Sequence, residues 1–165
     1  MHASQIGTMN DEFTLSIDLA PTLLSAAGIA VPTQMQGKDI AQLYLKNHSN
    51  EEESRKMWRK DFFYEWKDWK NEAAKAYDDW KTGTSAEFDE HIPPVSALIR
   101  KDYKYIYWPP RTGDGSYKQL FNIENDPYEE FDIFNSTAQV NSTILKELET
   151  RYAYLRDRSQ NGHPV

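Results

Sequence analysis

The chain has 165 residues, 39% of them hydrophobic and 27% charged, a size and composition suited to one soluble globular domain. A net charge of -7 argues against a nucleic-acid-binding module, which needs a basic face, and means that any polyanionic ligand would have to meet a local cluster of Lys and Arg. With no cysteine there is no disulfide and no thiolate metal site, and no run approaches the roughly 20 apolar residues that span a bilayer. The opening MHASQIGTMNDE lacks the basic start and apolar core of a secretory signal, so either the protein stays inside or its N-terminus lies upstream.

Phe13, Leu15 and Ile17 alternate with Thr14 and Ser16, which predicts a short half-buried strand ended by Asp18. Asp18 is then expected to cap a helix through LAPTLLSAAG. Pro21 falls in its first turn, Leu19, Leu23, Ala26 and Ala27 share a face, and Gly28 with Ile29 forms a Schellman stop. Pro32 and Gly37 mark a loop, after which Asp39 caps a second short helix through Ile40, Leu43 and Tyr44. Residues 46–56, KNHSNEEESRK, read as an exposed linker.

Order resumes at Trp58. The run Asp61 to Trp66 is aromatic-rich and strand-like, and Trp69, Ala73, Ala76, Tyr77 and Trp80 fall on one face of an amphipathic helix stopped by Gly83. Val95–Arg100 and Tyr103–Trp108 predict a hairpin across Lys101 and Asp102. A third run, Tyr117 to Ile123, joins them in an antiparallel sheet. Asp126 and Pro127 turn the chain into a final helix carrying Val140, Ile144, Leu148 and Leu155. The fold class is therefore α+β, with a small antiparallel sheet of about four strands covered by a long C-terminal helix and preceded by a short strand-helix unit.

Four ordered segments carry a resemblance. SIDLAPTLLSAAGIAVPTQMQG (Ser16 to Gly37), WRKDFFYEW (Trp58 to Trp66), ALIRKDYKYIYWP (Ala97 to Pro109) and QLFNIENDPYEEFDIFN (Gln119 to Asn135) resemble, in that order, the C-terminal part of sulfatases of the alkaline-phosphatase superfamily, those similar to N-sulfoglucosamine sulfohydrolases in particular. The departures are small: Gln119 replaces the usual Glu, Phe121-Asn122 replaces Tyr-Asp, and Asp132 stands where Asn is common. The resemblance implies that residues 1–57 are the tail of a catalytic α/β domain, which the strand-helix unit would belong to, and that residues 58–165 are a C-terminal subdomain. The matched residues shape helices, turns and a hairpin rather than perform chemistry.

The same resemblance locates that chemistry elsewhere. Sulfatases use a formylglycine formed in C/S-x-P-x-R and a divalent cation, usually calcium, on hard oxygen ligands. This chain has no Cys and no Ser-x-Pro-x-Arg, and its one Asp pair, Asp78-Asp79, falls in a predicted helix where adjacent side chains diverge by about 100°. Its four histidines, His2, His48, His91 and His163, lack metal-ligand spacing. No catalytic residue, metal ligand or cofactor is therefore expected in this chain, and calcium belongs to the full-length family site.

In the family the C-terminal subdomain lies beside the catalytic domain and helps shape the pocket mouth. That makes Trp66 and Trp69 candidates for stacking on sugar rings and Lys67, Lys70, His91 and Arg100 candidates for meeting sulfate. The expected partners are an N-terminal sulfatase domain, or a second chain carrying one, and sulfated carbohydrate. Sequons at Asn47, Asn135 and Asn141 are candidate glycosylation sites. With nine asparagines in the chain, about one sequon is expected by chance, so the excess favours a secreted or lysosomal eukaryotic parent, with a bacterial one left open; by resemblance the compartment is secreted, lysosomal or periplasmic. Three readings follow: a sulfatase C-terminal portion that is not catalytic alone, a stand-alone glycan-binding or protein-interaction module, and one half of a two-chain enzyme.

Overall fold

A computed structural model of the protein describes residues 9–44, 56–66, 94–110, 115–136 and 140–161. They belong to two compact units, one of Met1–Asp61 with Arg156–Val165 and one of Phe62–Leu155.

The first unit is built on turns and short helices. The strand predicted over Phe13–Ile17 does not form: Leu15 has an extended backbone, but residues 13–15 pair with no described strand. The chain instead tightens into a 3-10 turn, Ser16–Asp18, that runs directly into helix α1, Leu19–Ala26. Asp18 does not cap α1, because its backbone is already helical and its carboxylate turns back to accept the Leu15 N–H at 2.8 Å. The stop at the other end is as predicted. Gly28 takes φ 70°, and the Ile29 N–H reaches Leu24 O while the Gly28 N–H reaches Ser25 O, the two bonds of a Schellman motif. Asp39 caps the 3-10 turn Ile40–Leu43, accepting the Ala41 N–H at 2.9 Å.

Gly37 has a different function from Gly28. A Cβ at position 37 would lie 1.9 Å from the carbonyl oxygen of Ile17, so only glycine lets the loop before Lys38 touch the Ile17–Asp18 peptide.

The second unit is the predicted antiparallel sheet. Strands β1 (Asp61–Trp66), β2 (Val95–Arg100), β3 (Tyr103–Trp108) and β4 (Tyr117–Asn122) lie side by side in chain order. The hairpin register sets Leu98 opposite Tyr105, and the next pairing sets Tyr105 opposite Leu120. These three buried side chains form one row across the sheet. Helix α2, Ser142–Gln160, covers that row with Leu148, Tyr152 and Leu155, and Ile133 closes the core. Tyr152 was missing from the predicted helix face, yet it is the centre of the packing. Its ring meets Phe63, Tyr105 and Tyr107, and its hydroxyl shares a 2.7 Å hydrogen bond with Ser96 Oγ. The fold class read from sequence is thus the one observed. The predicted helix through Trp69 and Trp80 lies outside the described residues.

Candidate functional site

Two clusters gather the motif residues, one in each unit. In the first unit the Asp18 carboxylate has no exposed surface and is fully engaged. Besides Leu15 N–H it accepts the Lys38 N–H at 2.7 Å, and both of its oxygens accept from the guanidinium of Arg59, the Nη2 bond being 2.7 Å. Burial by itself would raise the Asp18 carboxyl. The hydrogen bonds from Arg59, Leu15 and Lys38, with the Arg59 charge, outweigh it and hold the group below its ordinary value.

Around this pair the neighbours are tied in turn. Thr22 Oγ1 donates to Asp18 O at 2.6 Å and accepts the Ile40 N–H at 2.9 Å. The buried Trp58 indole donates to Phe13 O at 2.7 Å, with Arg59 5.2 Å and Lys38 5.6 Å from its ring centre. Lys38 Nζ donates to Met57 O, and its pKa is lowered by burial and by the charge of Arg59. The residues Asp18, Thr22 and Gly37 that carry the first family segment therefore converge with Trp58 and Arg59 of the second.

What this cluster leaves outside is equally specific. Leu19 and Leu23, one turn apart on α1, are 58% and 70% exposed, and Ile17 and Ile29 at the two ends of the helix are exposed as well. The helix is held on the side of Pro21 and Thr22, and the face of Leu19 and Leu23 carries no cover among the described residues.

In the second unit the motif residues fix the hairpin and its following loop. Arg100 Nε and Nη2 donate to Asp102 at 2.8 and 2.7 Å, and Nη1 reaches Glu147 of α2 at 2.6 Å. Lys104 donates to both carboxylate oxygens of Glu129, at 2.9 and 2.7 Å. Glu129 adopts a left-handed φ of 56°. Asp126 makes that loop possible, accepting the Glu130 and Phe131 N–H groups. Asp132, where Asn is common in the resemblance, uses Oδ1 to accept the Leu120 and Phe134 N–H groups, which an Asn carbonyl would also do; its second oxygen accepts the Tyr117 hydroxyl. A shallow depression of about 350 Å³ opens beside this loop, lined by Asn122, Asn125, Asp126, Phe131 and Ile133.

Of the predicted substrate contacts, Trp66 ends β1 with 46% of its surface exposed, next to Tyr64 on the same side of the strand. Arg100 is committed to its two carboxylates. Lys67, Trp69, Lys70 and His91 lie outside the described residues, as do Asp78 and Asp79. Asn135 and Asn141 are exposed, and Asn47 lies outside the described residues. Among the described residues no three His, Asp or Glu side chains come together in a way that could hold an ion. No described helix is long and apolar enough to cross a membrane.

The sequence analysis names Asp18 but identifies neither the Asp18–Arg59 pair nor the Lys104–Glu129 pair as contacts. The only signal available was that these residues sit in motif segments far apart in the chain.

Similar folds occur among solved structures. The structure is similar to that of BT4656 in complex with its substrate D-glucosamine-2-N,6-O-disulfate, with a TM-score of 0.61 and 20% identity over 89% of this chain. It is also similar to BT33494S-sulf, solved in connection with the metabolism of multiple glycosaminoglycans by Bacteroides thetaiotaomicron, with a TM-score of 0.56 and 14% identity over 95% of this chain. The chain spans 24% and 31% of the length of those two proteins. At these identities the likeness concerns the fold. Residues 2–158 match the family described as N-sulphoglucosamine sulphohydrolase, C-terminal. That match runs through both units, and on it the chain belongs to the N-sulphoglucosamine sulphohydrolase C-terminal family.

Proposed function

We propose that this chain is the C-terminal portion of a sulfatase acting on sulfated carbohydrate, and that it completes the enzyme without catalysing hydrolysis alone. The observation that carries the reading is the apolar face of α1. Leu19 and Leu23 are held outward by a polar cluster that fixes the other side of the helix, a costly arrangement for a surface unless another body covers it. The occupant in this reading is a sulfatase catalytic domain, for which the two similar solved proteins have room, since this chain spans only 24% and 31% of their length. That domain brings the formylglycine nucleophile and the calcium ligands. This chain shapes the pocket mouth, with Trp66, Lys67, Trp69, Lys70 and His91 as contacts for the sulfated sugar, while Arg100 fixes the hairpin through Asp102 and Glu147.

Co-expression with a sulfatase N-terminal domain carrying C-x-P-x-R tests this. The two should co-purify and together release sulfate from D-glucosamine-2-N,6-O-disulfate, the substrate of BT4656. Leu23→Asp should abolish the association without unfolding the chain. Association that survives Leu23→Asp, or a catalytic domain equally active without this chain, overturns the proposal. The exposure of Tyr64 and Trp66 favours a second reading, a stand-alone glycan-binding module. That reading requires the chain alone to bind a sulfated oligosaccharide and to lose binding on Trp66→Ala.

A further inference from the structure

Of the three sequons, the one at Asn141 also has a structural role. Asn141 begins N-S-T and is exposed, as are Ser142 and Thr143. It also caps α2. Its backbone carbonyl accepts the Leu145 N–H at 3.0 Å, the first bond of the helix, and its side-chain Oδ1 accepts the Thr143 N–H at 2.8 Å. The cap therefore uses the carbonyl half of the amide only. Nδ2 makes no hydrogen bond to a described residue.

We infer that Asn141 is an N-glycosylation site whose glycan is carried on Nδ2 while Oδ1 goes on capping α2. The chemistry permits both at once. Nδ2 attacks the anomeric carbon of a lipid-diphosphate-linked oligosaccharide, and the bond from that carbon to the phosphate oxygen breaks. The lipid diphosphate leaves with the electron pair, and one Nδ2 proton passes to a base of the transferase. One N–H becomes N–C, and the carbonyl oxygen keeps its lone pairs and its place. The sequon threonine acts through its side chain, whereas the cap uses its backbone N–H, so the two functions can be cut apart genetically. The inference stands independently of the sulfatase reading.

The test routes the full chain, with Asn47→Gln and Asn135→Gln to silence the other sequons, through a eukaryotic secretory pathway. The Asn141 peptide is read in both lysate and medium, so that poor secretion does not hide the result. The expected outcome is a glycan on Asn141 that Thr143→Ala abolishes with the melting midpoint unchanged. Enzymatic release of the glycan leaves aspartate at 141, an equally good cap, and should also leave the midpoint unchanged. Asn141→Ala should lose the glycan and lower the midpoint by roughly 2–4 °C, the effect expected for losing one cap in a domain of this size. An unmodified Asn141 peptide in both fractions overturns the site. A melting loss in Thr143→Ala as large as in Asn141→Ala overturns the separation of glycan from cap.

Discussion

The two units are held together by opposite means. The second packs Leu98, Tyr105 and Leu120 of its sheet under Leu148, Tyr152 and Leu155 of its helix, an apolar core to which β2, β3 and β4 each contribute one buried side chain. In the first, a buried carboxylate collects two backbone donors and a guanidinium, while the apolar side of α1 faces outward. The first unit buries Leu43, Trp58 and Pro21 but leaves Leu19 and Leu23 of α1 outside, a face shaped to be covered. A unit with its own core supports itself. The difference places the proposed dependence on a catalytic domain in the first unit.

Changes in the two units should therefore fail differently. Asp18→Ala should have the largest effect, about 3–5 kcal/mol, because it leaves the Arg59 guanidinium without its counter-ion and strands the Leu15 and Lys38 N–H groups. Limited proteolysis should then open the first unit and spare the sheet. Leu148→Ala should cost about 2–5 kcal/mol through the cavity it leaves under the sheet, and should lower the denaturant midpoint of the second unit.

Acid sharpens the contrast. A carboxyl held below its ordinary value of 3.8 contributes stability that is fully present above that pH and is lost as pH falls through the depressed native value. The first unit should therefore loosen as pH drops below about 4, seen as a change in Trp58 fluorescence. Asp18→Asn should remove that pH dependence. The smallest expected effect is at Glu129. Alanine there keeps the left-handed strain and loses the Lys104 pair, for about 1 kcal/mol, whereas Glu129→Gly relieves the strain and should be nearly neutral. Paired thermal melts of the two variants distinguish these outcomes.

The second unit was the more legible in sequence. Val95–Arg100 and Tyr103–Trp108 form the hairpin where β-favouring residues flank Lys101 and Asp102, and β1 spans the aromatic run Asp61–Trp66, because strand alternation and turn residues are local signals. Gly28 and Asp39 behave as local rules require. Asp18 does not. A capping residue followed by a helix satisfies the local pattern, but a partner 41 positions away takes the carboxylate. No period or spacing announces such a tie. The strand expected at Phe13–Ile17 failed for a related reason, since alternation shows that a segment can be extended, not that a neighbour is there to pair with it. Tyr152 was overlooked because a large polar-tipped ring interrupts an aliphatic helix face, although its hydroxyl is satisfied by Ser96. As for the candidate site, the motif residues could be named from sequence but not their pairings, and the segment from Lys67 to His91 rests on resemblance.

Hydrogen exchange resolved along the chain tests the account most directly, comparing the chain alone with the chain bound to a sulfatase catalytic domain. Backbone amides of Leu19–Ala26 should exchange markedly more slowly in the complex, while those of Leu98, Tyr105 and Leu120 are protected in both states. An α1 whose exchange is the same with and without the catalytic domain would contradict the claim that its apolar face is where this chain completes the enzyme.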